Sequence, residues 1–186
     1  MLEIHFWELL LFITFVWIIA RVIAGIKAKS FSIGKEIKLL MVYICIVVLA
    51  RIVYFPFHHV NGHIDTLKFD LDRIRPLWIN LTPIVHMFDI YDDWLINIIG
   101  NVSMFIPIGI IFPVCFEKLD KFWKTVLVGF GITLFIEISQ LMFYERCSDI
   151  DDIIMNTTGV IIGASFYFLT KDIVRLTKVS KVQESV

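Results

Sequence analysis

The sequence predicts an all-α fold, a polytopic membrane helix bundle of about five transmembrane helices with the N-terminus out and the C-terminus in. Three observations carry that expectation. The 186 residues are 58% hydrophobic with a mean hydropathy of +0.81, far from the composition of a water-soluble domain. Five apolar stretches approach or exceed the ~20 helical residues that cross a hydrocarbon core of about 30 Å. The basic residues gather in alternate loops, as expected when positive flanks stay in the cytoplasm.

The first stretch, 4–26, has no basic residue ahead of it and exceeds a signal-peptide core, while Arg21 and Lys27 fall at its far end. It reads as a retained helix. The second covers 37–57. An external loop, 58–93, follows, in which Ile64, Leu67, Leu71 and Ile74 keep helical spacing whereas Leu67, Phe69 and Leu71 alternate, so surface helix and strand both stay open. Trp78, Tyr91 and Trp94 are placed as interfacial aromatics. The third stretch, 94–116, holds Pro107 and Pro113, which remove helical donors and predict a kink. The fourth is 123–143. The fifth, 153–170, is led by acids at 149–152, where Ser148 and Asp151 fit a capping box. The chain therefore divides into a first helix with its cytoplasmic loop (1–36), a transmembrane domain (37–170) and a polar, loosely ordered cytoplasmic tail (171–186).

Orientation follows from charge. Lys27, Lys29, Lys35 and Lys38, then Lys118, Lys121 and Lys124, then Lys171, Arg175, Lys178 and Lys181 lie on one side. Only Lys68, Arg73, Arg75 and Arg146 lie on the other, and the acids gather there. A net charge of -1 predicts no nucleic-acid partner. Cys45 and Cys115 fall within spans and Cys147 stands alone outside, so no structural disulfide is expected. No internal repeat is present, which argues against a complete alternating-access transporter.

Ionisable groups inside a bilayer are expensive, about 2.5–3.5 kcal/mol each on insertion scales, so each needs a partner, a wet cavity or a function. Arg51 lies six residues from the external end of the second stretch. Asn97 and Asn101 occupy the first turns of the third, Glu137 and Gln140 the last turns of the fourth, and Asp149, Asp152 and Asn156 the start of the fifth. At ~1.5 Å per residue all fall within about 10 Å of the external boundary. They also share faces, at i, i+4 for Asn97 and Asn101, at i, i+3 for Glu137 and Gln140, and down one stripe through Asp152, Asn156, Gly159 and Gly163. Ion pairing and interhelical hydrogen bonding are the structural reading of these groups; an outer-leaflet polar pocket is the functional one. The spacing of Gly159 and Gly163 lets another helix backbone approach closely. His58, His59 and His63 cluster in the external loop, a weak zinc signal without a second ligand group. No cofactor is expected.

Three ordered blocks then carry a resemblance. The run from Asn97 through Asn101, Phe105 and Pro107 to Gly109, the pair Glu137 and Gln140, and the run from Arg146 through Asp149, Asp151, Asp152 and Asn156 to Gly159 and Gly163 resemble the signature of VanZ-like membrane proteins. Asn80, Leu81, Thr82 and Pro83, with Arg51 ahead of them, also fit, although Thr82 and Ile84 stand where the pattern has apolar and aromatic residues. The resemblance spans about 51–169. It implies a multi-pass protein of a bacterial cell membrane, related to one associated with resistance to the glycopeptide teicoplanin, and it brings no established reaction.

The expected function is a non-catalytic envelope protein whose outer-leaflet pocket binds a lipid-linked precursor, a glycopeptide or another amphipathic ligand. Arg51, Asn97, Asn101, Glu137, Gln140, Arg146, Asp149, Asp152 and Asn156 are the candidate binding residues, with Arg51 facing a phosphate or Glu137. An intramembrane enzyme is the alternative, with Glu137 as general acid or base and Asp149 with Asp152 holding a divalent metal beside an anionic lipid. A transporter or partner subunit is a third. The expected partners are the lipid bilayer and, through Gly159 and Gly163, a second copy of the chain.

Overall fold

A computed structural model describes residues 2–27, 32–55, 59–60, 63–69, 79–84, 94–143 and 146–183. In chain order the elements are β1 (Leu2–Ile4), α1 (Phe6–Lys27), α2 (Ile33–Tyr54), β2 (His59–Val60), β3 (His63–Ile64), β4 (Leu67–Phe69), β5 (Ile79–Asn80), α3 (Trp94–Cys115), α4 (Phe122–Gln140), β6 (Ser148–Asp149) and α5 (Ile150–Gln183). Five helices among the described residues are long and apolar enough to cross a membrane. Two compact units divide the chain: Met1–Leu81 with Ile136–Asp149, and Thr82–Phe135 with Ile150–Val186.

In the first unit, α1 starts at Phe6 rather than residue 4 because Leu2, Glu3 and Ile4 form a strand. They pair antiparallel with Phe69, Lys68 and Leu67, which sets Glu3 opposite Lys68. Residues Leu67–Phe69 of the 58–93 loop are thus extended, and the alternation of Leu67 and Phe69 prevails there over helical spacing. Leu71, Ile74, Trp78 and Tyr91 lie outside the described residues, as does His58. The helix start is held by Glu8, whose carboxylate accepts the His5 amide N–H at 2.8 Å, the reach-back half of a capping box.

No residue of α1 is buried. It meets α2 through side-chain tips: the Thr14 and Tyr43 hydroxyls at 2.7 Å, the Trp17 and Tyr43 rings at 5.5 Å, and an ion pair between Arg21 and Glu36. The buried side of α2 is Leu39, Val42, Cys45, Leu49 and Ala50, an apolar stripe at helical spacing. It ends at fully buried Phe55, edge-on to Phe6.

In the second unit α3 and α5 pack most extensively. Phe105, Ile108, Val160 and Ala164 are fully buried. Gly159 and Gly163 sit against the carbonyls of Val102 and Ile106, one turn apart on α3, and Gly109 sits against the Val160 carbonyl. A Cβ at any of the three would overlap those backbones. The glycine face expected to join a second copy is therefore filled by α3 of the same chain, because a bilayer gives helices little reason to associate except close backbone approach and polar contacts. Despite Pro107 and Pro113, α3 is one continuous helix.

Helix α5 runs 34 residues, to Gln183, where the sequence predicts a loose tail from 171. At 1.5 Å per residue it is about 50 Å long, well beyond a ~30 Å core. Residues 171–178 are exposed, and Lys171 lies 5.9 Å over the Tyr167 ring and 5.7 Å over that of Phe168. Ser148 lies in β6, two residues ahead of α5, rather than at the capping position.

Candidate functional site

The first unit gathers polar groups where α2 ends. Carbonyls at a helix C-terminus lack intrahelical donors and attract cations. Here Arg51 donates from Nη1 to the Phe55 carbonyl at 3.0 Å, and Arg146, ninety-five residues further on, donates from Nη2 to the Tyr54 carbonyl at 2.8 Å. The Arg51 guanidinium also lies 5.7 Å over the Phe6 ring. Beside them the Tyr54 hydroxyl is hydrogen-bonded to that of Ser139, which in turn donates to the Ile136 carbonyl at 2.7 Å.

Glu137 is the deepest carboxylate of this group, only 2% exposed, and Gln140 is buried one turn later. A buried carboxylate must be met by donors. The backbone N–H of Asp149 supplies one, at 3.0 Å from Oε2. The parallel β5–β6 pair sets Asn80 in register with Asp149, and the Asn80 amide donates to Asp149 Oδ2 at 3.1 Å. Carboxylate, amide and guanidinium groups thus converge at one end of α2 and α4.

The second unit holds the remaining expected residues. Asn101 donates from Nδ2 both to Asn97 Oδ1 and to Asp152 Oδ1, each at 2.9 Å. Asp151 accepts the Ile84 backbone N–H at 2.9 Å, so its carboxylate secures the chain after Pro83. Ile84 has φ 71°, a left-handed conformation unfavourable for a β-branched residue. Deeper, Asn156 donates to the Thr133 hydroxyl at 2.9 Å. The Asn156 Oδ1 and Thr125 Oγ1 atoms are buried without a hydrogen-bond partner among the described residues.

Of the nine expected binding residues, Arg51, Glu137, Gln140, Arg146 and Asp149 belong to the first unit and Asn97, Asn101, Asp152 and Asn156 to the second. Asn97 is exposed. Asp149 and Asp152, the expected metal pair, each accept from an asparagine amide, and among the described residues no three His, Cys, Asp or Glu side chains gather as metal ligands. Thr133, Ser139 and Tyr54 were not foreseen. A signal for Thr133 exists, since Thr125, Gly129, Thr133 and Glu137 repeat every four residues on α4 and all four are buried.

A family model described as VanZ/LLP1 matches residues 40–171, most of the chain. The chain belongs to the VanZ/LLP1 family. It is 33% identical over 86 residues to Protein VanZ of Enterococcus faecium, an overlap of 46% of this chain and 53% of that protein, so it matches about half the length of that curated relative. No solved structure matches. The VanZ/LLP1 match begins within α2 and takes in every expected site residue from Arg51 to Asn156, leaving α1 outside. With five membrane-long helices, this VanZ/LLP1 chain is a multi-pass membrane protein.

Proposed function

We propose that the chain is a non-catalytic protein of the cell membrane that binds a lipid-linked or amphipathic ligand at the outer ends of its helices and thereby alters the action of a glycopeptide such as teicoplanin. The observation that carries this reading is Glu137, a buried carboxylate held by the Asp149 amide, in the same unit as two arginines that serve the end of α2. Guanidinium groups suit phosphate, and Gln140 and Asn80 offer amides to a sugar or peptide. Asn97, Asn101, Asp152 and Asn156 supply further polar contacts in the second unit. The amide donors on Asp149 and Asp152 support binding over chemistry.

Sidedness has its own support. The β1–β4 pair joins the chain start to the loop after α2, and β5–β6 joins that loop to the segment before α5, so these connections share a side. Eleven of the 17 basic residues fall in or beside the other connections and in the C-terminal segment, which supports reading this side as the exterior. A membrane-impermeant maleimide should label exposed Cys147 in intact cells; labelling only after lysis would reverse the topology.

Deletion of the gene should raise teicoplanin susceptibility, and Glu137→Gln, made at wild-type abundance, should reproduce the deletion. Unchanged susceptibility in the deletion strain would sink the resistance role.

A further inference from the structure

Helix α5 continues past the helices packed around it. Near its middle the Tyr167 hydroxyl donates at 3.4 Å to the carbonyl of Pro113, in the last turn of α3, and the Phe168 ring lies 6.4 Å from that of Phe122, the first residue of α4. The ends of both neighbours are therefore level with Tyr167 and Phe168. Residues 171–183 run on for about 20 Å more at 1.5 Å per residue.

The exposed side of this helix is sorted by chemistry. Ile162, Phe166, Leu169, Ile173 and Leu176, each between 46% and 70% exposed, recur at alternating intervals of four and three residues. That is heptad spacing, with Phe166 and Ile173 at a and Ile162, Leu169 and Leu176 at d. The stripe starts at Ile162, because the a position one heptad before Phe166 is Gly159, which already lies against α3. Lys171, Arg175 and Lys178 take the f, c and f positions, on the far side of the helix from the stripe. Beside the stripe, Thr170 and Thr177 at e donate back to the Phe166 and Ile173 carbonyls, at 2.7 and 2.9 Å. Within 162–178 the one charge at an e or g position is Asp172, at g. In a parallel pair that position faces the following e of the other chain, here the uncharged Thr177.

Lipid can cover only part of this stripe. It reaches Ile162, Phe166 and Leu169 within the span, but it reaches Ile173 and Leu176 only if the helix bends to the membrane surface, and α5 has neither proline nor glycine after Gly163 to bend it. A second copy can follow the whole length. Two copies inserted in one membrane share an orientation, so their α5 helices run parallel. A β-branched residue at a with leucine at d favours two parallel strands, and Ile173 with Leu176 is that combination in the turns beyond the bundle.

We propose that the Ile162–Leu176 stripe of α5 is the interface of a symmetric, parallel dimer of this chain. It uses a face of α5 separate from Gly163 and does not rest on the Glu137 cluster. The purified full chain in mild detergent should appear by native mass spectrometry at twice its 21.7 kDa mass. Ile173→Asp/Leu176→Asp, which changes two exposed side chains, should return it to the monomer, with circular dichroism checking that the variant is folded. In membranes, oxidative crosslinking of Ile173→Cys and Leu176→Cys should exceed that of Lys171→Cys, Arg175→Cys and Lys178→Cys severalfold, above the background of the native cysteines. A monomeric wild type, equal crosslinking at all five positions, or a dimer that persists in the folded double variant would each overturn the proposal. So would a monomer whose Leu176→Cys is shielded from a water-soluble maleimide only when lipid is present, which assigns the stripe to the bilayer surface, or an adduct whose mass is not that of two chains, which assigns it to another protein.

Discussion

Helix α1 in the first unit is more apolar than either helix of the α3–α5 seam in the second, yet it is the seam that is buried. No side chain of α1 is buried, and a Cβ added at Gly25 would meet nothing. In the seam, Gly109, Gly159 and Gly163 each lie against a carbonyl of the facing helix. Apolar area cannot explain the difference, because lipid tails solvate leucine as well as another helix does. Close backbone approach can. The matched family region begins at residue 40, after α1, and contains the whole seam.

The largest effect is expected where a side chain is forced into that seam. Gly159→Leu or Gly163→Leu should destabilise the protein by about 3 kcal/mol, the upper part of the usual overpacking range. Phe15→Leu on α1, where the ring is 62% exposed, should change stability by less than about 0.5 kcal/mol. Thermal unfolding in one detergent, followed by circular dichroism, compares them. Equal losses would remove the distinction between the two regions.

Next comes the first unit's own means of holding elements together, which is polar rather than glycine-based. Glu137→Leu leaves the Asp149 amide without its acceptor and should cost about 1–3 kcal/mol. Glu137→Gln keeps a carbonyl oxygen for that N–H and should retain most of the stability while losing the charge. A Gln variant as unstable as the Leu variant would mean that the charge itself holds the fold.

How much of this was legible follows the same division. The five spans were, because a run of about twenty apolar residues has few other solutions. The polar faces were too, since Asn97 with Asn101 and Glu137 with Gln140 repeat at helical spacing. The β1 strand was not, as Leu2 and Ile4 merge into the apolar run of α1 and their partners lie more than sixty residues away. The Asp151 bond to Ile84 is equally remote in sequence. Thr133 was passed over because a threonine in a span looks unremarkable until Asn156 is found against it. The extension of α5 beyond 170 was hidden by its lysines, which mark the edge of a membrane but not the end of a helix.

A smaller effect should attend the contacts that tie α1 to α2. Tyr43→Phe removes the Thr14 hydrogen bond and keeps the ring against Trp17. Hydrogen bonds between membrane helices average about 0.6 kcal/mol, so the shift in unfolding should be near that size. A loss approaching that of Gly159→Leu would promote α1 from an attached helix to a part of the core.

The smallest effect lies in water, between α3 and α4, where Asp120 is fully exposed. The hydrogen bond from Lys124, with Nζ at 2.6 Å from Oδ1, lowers the Asp120 pKa below its ordinary value, and the lysine charge adds to this. A carboxylate with a lowered pKa in the folded state contributes stability above its unfolded pKa and loses it as pH falls through the folded one. Asp120→Asn should therefore be slightly less stable than the wild type at neutral pH and equal to it at strongly acidic pH. High salt should shrink the difference, since an exposed i, i+4 pair is screened. A difference that persists unchanged in acid would assign the role of Asp120 to geometry at the start of α4 rather than to its charge.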